Sequence, residues 1–199
     1  SKIRELNILL SRESGFKYSD SQLATHDLKI LPGADIHIHP EIPQLIEEEK
    51  ILLIGGKYIL LEFPDYFLFQ GFKEFIIKLK SMGITTIISH PERNNMIQKN
   101  KEILYNLIKE GVLSQVTAMS ITGEFGGEIQ KFTETLLKSG LVHIIATDCH
   151  STEKRPPILS KAIEVASKII GEDRVIMMVE KIPGAVIEGR KMGKIELEF

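Results

Sequence analysis

A unit of amphipathic helix, glycine and apolar strand repeats three times along the chain at nearly constant spacing. Each helix pattern is followed by a glycine suited to a left-handed C-cap. These glycines, Gly83, Gly111 and Gly140, lie 28 and 29 residues apart. An apolar segment follows each of them, at residues 84–89, 112–118 and 141–147. A repeat of this length is one β/α unit, so it predicts parallel strands with right-handed crossovers, in a barrel or an open α/β sheet.

The apolar residues of these helices are three or four positions apart and therefore share one helix face. They are Phe72, Phe75, Ile76 and Leu79, then Ile103, Leu104, Leu107 and Ile108, then Ile129, Phe132, Leu136 and Leu137. Further helices are predicted at residues 158–170 and 174–180, followed by a tail rich in charge. Helical spacing also recurs near Ser1, so we expect the chain to start within a helix.

The composition predicts one domain over residues 1–199. With 199 residues, of which 43% are apolar, the chain can bury one substantial core. A net charge of −2 argues against a nucleic-acid or anionic-membrane surface. The single cysteine excludes an internal disulfide framework and favours the reducing cytoplasm. No apolar run approaches the roughly 20 residues of a membrane helix, so no membrane insertion is expected.

Acidic and histidine side chains recur at one phase of the repeat. Asp35 and Glu62 are 27 residues apart, Glu62 and His90 are 28 apart, and Asp148 follows His90 by 58. Each is predicted to lie at the C-terminal end of a strand, where parallel α/β barrels build their active sites. His150 follows Asp148 by two residues, whereas the intervening strand end, residues 117–119, offers no strong ligand.

These three carboxylates and two imidazoles indicate a metal site. Oxygen and nitrogen donors of this kind suit Mn, Fe or Zn in hydrolytic centres, and bridging carboxylates let two metals share a site. Any one of the five alone would be interpreted as an ordinary polar residue beside a loop. Their recurrence at one phase favours a site.

Two arginines are predicted on the same rim, because Arg93 and Arg155 closely follow His90 and His150. The guanidinium group suits bidentate recognition of phosphate, so arginines beside a metal indicate a phosphate ester as substrate. The alternative is that either arginine pairs with a surface acid such as Glu92 or Glu153.

Two further patterns offer rival chemistry. Asp35, His37 and His39 alternate along one strand and could all face a metal, but the periodic phase falls on Asp35 and leaves the histidines at or beyond the rim. Cys149 and Arg155 have the C-x5-R spacing of cysteine phosphatases. That loop wraps backbone N–H groups around phosphate and usually needs glycine, which the intervening residues lack.

Other polar or glycine-rich features are interpreted as structural. His26 and His143 are expected to be ordinary histidines, with His143 hydrogen-bonded inside a strand. Residues 123–127 are glycine-rich without matching a nucleotide-binding fingerprint, and they predict a flexible loop on the active face.

The motifs together resemble a known family, the bacterial PHP-type protein tyrosine phosphatases of the CpsB/YwqE type, which occur in capsule and exopolysaccharide gene clusters. The resemblance covers nearly the whole chain and joins several motifs in order. They are Leu31–Ala34, Leu61–Pro64, Ser89–Arg93, Gln115–Ala118, and Asp148-x-His150 with Arg155-Pro156-Pro157.

The resemblance implies a distorted (β/α)7 TIM-like barrel with two to three metal ions, Mn²⁺ above all. It implies hydrolysis of phosphotyrosine on a tyrosine autokinase that controls polysaccharide synthesis, by a protein that could form oligomers. By motif, the resemblance makes Arg93 and Arg155 the phosphate-binding residues. The family ligands are matched by Glu62, His90, Asp148 and His150, with Asp35 standing where the family has Glu.

The chain departs from the family in three places. Asp35 is one methylene shorter than the family Glu, and Cys149 replaces a small residue such as Ala. The family also begins with a strand carrying Asp-x-His-x-His and a second strand ending in Pro-His. The run from Asp35 to His39 copies the first pattern, but its flanks match the later carboxylate strand. We therefore expect the first two β/α units to be missing and the domain to be N-terminally incomplete.

The sequence is consistent with three functions. The first is a metal-dependent phosphotyrosine phosphatase, that is, a protein-tyrosine-phosphatase. The second is a truncated or inactive PHP-like barrel that acts as a binding module. The third is a metal-dependent phosphoesterase for another phosphate ester.

Overall fold

A parallel five-stranded sheet organises the chain in the computed structural model, which describes residues 31–64 and 71–193. Its strands are β1 Asp35–His37, β2 Tyr58–Glu62, β3 Thr85–Ser89, β4 Leu113–Thr117 and β5 Ile144–Ala146. The strand order follows the chain, and all four pairings are parallel. The predicted α/β architecture with a parallel sheet is therefore confirmed. All these strands lie in one structural unit, Ala34–Phe199.

Helices connect the strands and continue after the last one. Within the described ranges they are α1 Ile42–Glu47, α2 Phe72–Ser81, α3 Asn95–Lys99, α4 Glu102–Lys109, α5 Ala118–Thr122, α6 Gly127–Lys138, α7 Ser160–Ile170, α8 Glu172–Ile176 and α9 Ile182–Ile187. A 3-10 turn covers Pro91–Arg93, and a π-helical segment covers Met177–Lys181. His26 and the helical pattern near Ser1 lie outside the described residues.

The three predicted glycine caps are confirmed. Gly83, Gly111 and Gly140 have φ values of 77°, 93° and 67°. After each glycine, the next backbone N–H donates to the carbonyl five residues back, and the pairs are Ile84 to Leu79 (3.0 Å), Val112 to Leu107 (3.1 Å) and Leu141 to Leu136 (3.0 Å). This is the Schellman pattern, which satisfies a last-turn carbonyl. It directs the chain from each helix towards its strand.

The core lies on both faces of the sheet. One face packs against the helices through residues such as Leu61, Ile88 and Val116, with Leu79 and Leu136 from the helices. On the other face, a smaller cluster joins the strands to α9, and its buried members are Tyr58, Ile87, Leu113, Ile144, Ile182 and Val186. Helix α9 lies after residue 180, where a tail rich in charge and no further helix was predicted. Helix α9 forms there because its apolar residues cover this face of the sheet.

The end of α9 is fixed by a close approach of two backbone segments. Gly189 has φ +63°, and a Cβ on it would overlap the carbonyl oxygen of Gly55. The hydroxyl of Tyr58 donates to the carbonyl of Arg190 at 2.5 Å. The C-terminal segment is thereby tied to the chain that enters β2.

Replacing Gly189 with alanine should lower the free energy of unfolding by about 2–4 kcal/mol, because it adds backbone strain and a clash with main chain. Urea unfolding of the two proteins measures the difference. Gly193→Ala is the matched control, since a Cβ there meets no atom within 4 Å. It should change stability by less than about 0.5 kcal/mol. Equal effects of the two substitutions would contradict the close approach of Gly189 to Gly55.

Candidate functional site

Three of the predicted ligands converge beyond the C-terminal ends of β2 and β3. Asp35, Glu62 and His90 each offer a ligand atom within 4.8 Å of the others. The Nε2 atom of His90 lies 3.3 Å from Oε1 of Glu62 and 3.7 Å from Oδ2 of Asp35. As predicted, Glu62 ends β2 and His90 directly follows β3. Two carboxylates and one imidazole form a donor set that fits Mn, Fe or Zn.

Asp35 reaches this cluster from an earlier position in its strand than the sequence predicts. It begins β1 and pairs with Leu60, whereas His37 pairs with Glu62. The prediction that Asp35 ends its strand was therefore wrong by two residues. Because side chains alternate along a strand, Asp35 and His37 share one face of the sheet. The Asp35 carboxylate therefore still reaches the cluster, although its backbone lies two residues before the end of β1.

The electrostatics of the cluster favour a bound cation. Burial raises the pKa of the Asp35 carboxyl above its ordinary value, and the charges of Glu62 and Asp148 raise it further. A hydrogen bond from Ser89 and the nearby His90 act in the opposite direction. A cation among these carboxylates would favour their ionised forms and remove the repulsion.

The two histidines that follow Asp35 are placed differently. The Nδ1 atom of His37 lies 3.3 Å from Oε2 of Glu62, although the His37 side chain is 85% exposed. The Nδ1 atom of His39 lies 3.7 Å from Oε2 of Glu41 and accepts a hydrogen bond from the Glu41 backbone N–H. His37 therefore borders the cluster, and His39 pairs with its own loop.

Asp148 is held by both predicted phosphate-binding arginines. Nη2 of Arg93 lies 2.6 Å from Oδ2 of Asp148, and Nη2 of Arg155 donates to the same oxygen. The three side chains are mostly buried. Neither guanidinium forms its ion pair with Glu92 or Glu153, the alternatives that the sequence allowed. Two guanidiniums that meet at one carboxylate oxygen can also meet at a phosphate oxygen, and we call this pair the arginine clamp.

His150 lies beside Asp148 rather than in the cluster of three. Its Nδ1 atom is 2.8 Å from the Asp148 carbonyl oxygen and 3.7 Å from the Asp148 Oδ1 atom. The side chain is 58% exposed. The structure thus brings Asp35, Glu62 and His90 into one group and places His150 with Asp148 in a second.

Backbone strain marks the same two strand ends. Among the described residues, three non-glycine residues have positive φ, and two of them are His90 (φ 35°) and Asp148 (φ 49°). The left-handed conformation costs about 1–3 kcal/mol for a residue with a side chain and concentrates at functional sites. This observation supports a site in which these two side chains are aimed at a common centre.

Two residues that the sequence analysis did not single out as site residues support the loop after β3. Asn94 caps α3 with its side-chain oxygen and donates to the carbonyl of Pro64 at 3.0 Å. Glu92 is fully buried, and its Oε1 accepts from the Thr117 backbone N–H (3.0 Å) and the Ser120 hydroxyl (2.6 Å). The segment that carries His90 and Arg93 is thus joined to the chain just after β2 and to the end of β4.

Replacing Glu92 with glutamine should remove a pH dependence of stability. Burial raises the pKa of the Glu92 carboxyl, although hydrogen bonds from Ser120 and Thr117 oppose it. A raised carboxyl pKa makes the folded state lose stability as pH rises from the unfolded value towards the folded one. The stability of Glu92→Gln relative to the wild type should therefore increase as the pH rises above the ordinary pKa of glutamate. Urea midpoints measured over a series of pH values test it, and a constant difference would contradict it.

The loop after Asp148 is not built as a cysteine phosphatase loop. Cys149 is exposed. The N–H groups of His150 and Ser151 donate to the Arg155 carbonyl, and those of Lys154 and Arg155 donate to the Ser151 hydroxyl. These four N–H groups are therefore used inside the loop instead of forming a cradle for phosphate.

His143 has the structural role expected of it, but it lies directly before β5 and not inside a strand. It is buried, and its Nδ1 accepts a hydrogen bond from the Ser114 backbone N–H at 3.2 Å. Burial lowers the pKa of His143 to about 4, so the ring is neutral at pH 7. In the part of the chain that the structure describes, we find no helix with the length and apolarity needed to cross a membrane.

Comparison with known proteins gives a consistent result. The family model for capsular polysaccharide synthesis, CpsB/CapC, matches residues 14–188. Tyrosine-protein phosphatase YwqE from Bacillus subtilis is 33% identical over 154 residues, which are 77% of this chain and 61% of YwqE. CapC from Staphylococcus aureus is 36% identical over 144 residues, which are 72% of this chain and 56% of CapC. The chain thus spans about three fifths of the length of these curated relatives.

The fold is shared with a solved structure. It comes from the crystal structures of YwqE from Bacillus subtilis and CpsB from Streptococcus pneumoniae, described as unique metal-dependent tyrosine phosphatases. The match has a TM-score of 0.85 and 27% identity, and it covers 99% of this chain and 76% of the other.

Proposed function

Because the chain belongs to the CpsB/CapC family of capsular polysaccharide synthesis, we propose that it is a metal-dependent phosphatase acting on phosphotyrosine in proteins. The arginine clamp on Asp148, beside the cluster of Asp35, Glu62 and His90, is the observation that carries this proposal. The cluster offers a site for a cation and the clamp offers a site for an anion, and metal-assisted hydrolysis of a phosphate ester uses both.

We propose that the metal binds at the cluster of Asp35, Glu62 and His90. Asp35, Glu62 and His90 would hold the first ion, and Asp148 and His150 would hold a further one, with two to three ions in the complete site. Mn²⁺ is the ion that we propose, and the same donors would accept Fe or Zn. When bound, the metal supplies Lewis-acid polarisation of the phosphoryl group.

The residues of the chain bind and orient the phosphate. Arg93 and Arg155 would donate hydrogen bonds to the phosphoryl oxygens and stabilise the negative charge that grows on them as the ester bond breaks. Asp148 keeps both guanidiniums aimed at one point, which reduces the reorganisation needed when substrate binds. The hydrogen bonds that Glu92 accepts from Thr117 and Ser120 hold the loop that carries Arg93.

Membership of the family supports a proposal for the complete fold, the location and the substrate of the chain. We propose that the sheet is part of a distorted (β/α)7 barrel in a single PHP-like domain, with a cytoplasmic location. The substrate would be a phosphotyrosine-containing protein, such as a bacterial tyrosine autokinase that regulates capsule or exopolysaccharide synthesis.

Phosphate release from a phosphotyrosine peptide tests the proposal. The chain supplied with Mn²⁺ should hydrolyse the peptide, and chelation of the metal should abolish release. Hydrolysis of p-nitrophenyl phosphate without hydrolysis of the peptide would favour a phosphoesterase for another ester. Phosphate binding without hydrolysis of either compound would favour a binding module.

Replacing Cys149 with serine should change kcat/KM by less than about twofold, because the loop around Cys149 does not form a phosphate cradle. The measurement is hydrolysis of p-nitrophenyl phosphate with added Mn²⁺. A loss of several orders of magnitude would instead establish thiol chemistry and overturn the metal mechanism.

A further inference from the structure

Phe125 lies on a hydrogen-bonded turn between α5 and α6. The Gly126 backbone N–H donates to the Gly123 carbonyl at 2.9 Å, which closes the turn around Phe125. The side chain of Gln130 donates to the Ile121 carbonyl at 3.1 Å and joins α6 to α5 across the turn. Residues 123–127 were predicted to be a flexible loop. They form a hydrogen-bonded connection that presents one aromatic side chain beside the clamp.

The ring of Phe125 contacts both arginines of the clamp. The Cζ atom of Arg93 lies 5.1 Å from the ring centroid, and that of Arg155 lies 5.8 Å from it. Both distances are within the range of cation–π attraction. The Nη2 atoms of the two arginines meet at Asp148, so the carboxylate and the ring together define the position of the clamp.

A phosphate ester held by this clamp would place its organic group near the ring. Hydrogen bonds of about 2.8 Å from the guanidiniums put the phosphorus within a few ångströms of both Cζ atoms. An aromatic group on the ester oxygen can then reach the separation at which aromatic rings pair, with centroids about 4.5–7 Å apart. Phe125 is half-buried, so part of its ring remains open to such a partner.

We propose that Phe125 is a specificity-determining residue, which selects aryl phosphates by pairing its ring with the aromatic group on the phosphate. This inference rests on the proposed function, since it names the feature by which the same site prefers phosphotyrosine. An alkyl phosphate such as phosphoserine offers the clamp the same anion but no ring. Selection therefore arises at Phe125 and not at the arginines.

Binding of two phosphonates separates this role from catalysis. Phenylphosphonate and methylphosphonate carry the same anionic group and are not hydrolysed, so calorimetric titration of the chain with Mn²⁺ gives their Kd values directly. In Phe125→Leu, which keeps an apolar side chain without a ring, the preference for phenylphosphonate should fall about three- to tenfold. Phe125→Tyr, which keeps the ring, should retain the preference.

Arg155→Gln is the matched control, because it weakens the clamp and leaves the ring. It should weaken the binding of both phosphonates by a similar factor and preserve the ratio of their Kd values. The proposal is overturned if Phe125→Leu lowers both affinities equally, since the ring would then act only by supporting the arginines. It is also overturned if the wild type shows no preference or binds neither compound. A preference that depends on the ring in a chain without phosphatase activity would refute the proposed function alone.

Discussion

Replacing His90 with alanine is expected to lower the activity on p-nitrophenyl phosphate by at least about 10³-fold and to reduce the metal content of the purified chain. His90 supplies the one imidazole of the cluster and lies within 4 Å of both carboxylates. Loss of a ligand removes Lewis-acid stabilisation worth several kcal/mol, and each 1.36 kcal/mol corresponds to a tenfold change in rate. Elemental analysis together with steady-state kinetics measures both effects.

His39→Ala is the matched control for this experiment. His39 is two residues beyond β1 and pairs with Glu41, so its loss should leave metal content and activity within about twofold of the wild type. A His90→Ala protein that keeps its metal and its activity would show that the cluster of Asp35, Glu62 and His90 is not the catalytic metal site.

Replacing Arg155 with alanine is expected to lower kcat/KM by about 10²–10³-fold, the usual cost of removing one donor that stabilises transition-state charge. Arg155→Lys keeps the positive charge but loses the planar fork, so it should recover only part of this loss. Both variants should also weaken competitive inhibition by inorganic phosphate, which reports on the clamp without turnover.

The neighbouring exposed lysine provides the control. Lys154→Ala removes a positive charge from the same loop without touching Asp148, and it should change phosphate inhibition by less than about twofold. If Arg155→Ala leaves inhibition by phosphate unchanged while Lys154→Ala weakens it, the phosphate site has been placed wrongly. Substitution of Arg93 should reproduce the effect of Arg155, because both donate to the same oxygen.

The repeating part of the fold could be predicted because its signals are local. Apolar spacing identified the buried faces of α2, α4 and α6, and each following glycine stopped its helix through bonds within six residues. The phase of Glu62 and His90 at strand ends came from the same repeat. The local patterns did not predict α9. This helix forms because Ile182 and Val186 cover one face of the sheet.

Register and long-range contacts could not be predicted in the same way. The position of Asp35 depends on the register of β1 against β2. Spacing along the chain predicted Asp35 at the strand end, which is two residues too far along the strand. The glycines of residues 123–127 predicted a loop, but they gave no sign of the hydrogen bonds at the turn around Phe125, one of which joins α5 to α6. Burial of Glu92 likewise depends on its partners at the end of β4.

By itself, the sequence determined the β/α repeat, the parallel sheet and the strand ends that carry Glu62, His90 and Asp148, because apolar periodicity and helix caps act over a few residues. Only the tertiary structure decided that Arg93 and Arg155 meet at one oxygen of Asp148 under the ring of Phe125. Arg93 is 55 residues from Asp148, and the two loops become neighbours only when the strands between them pair side by side.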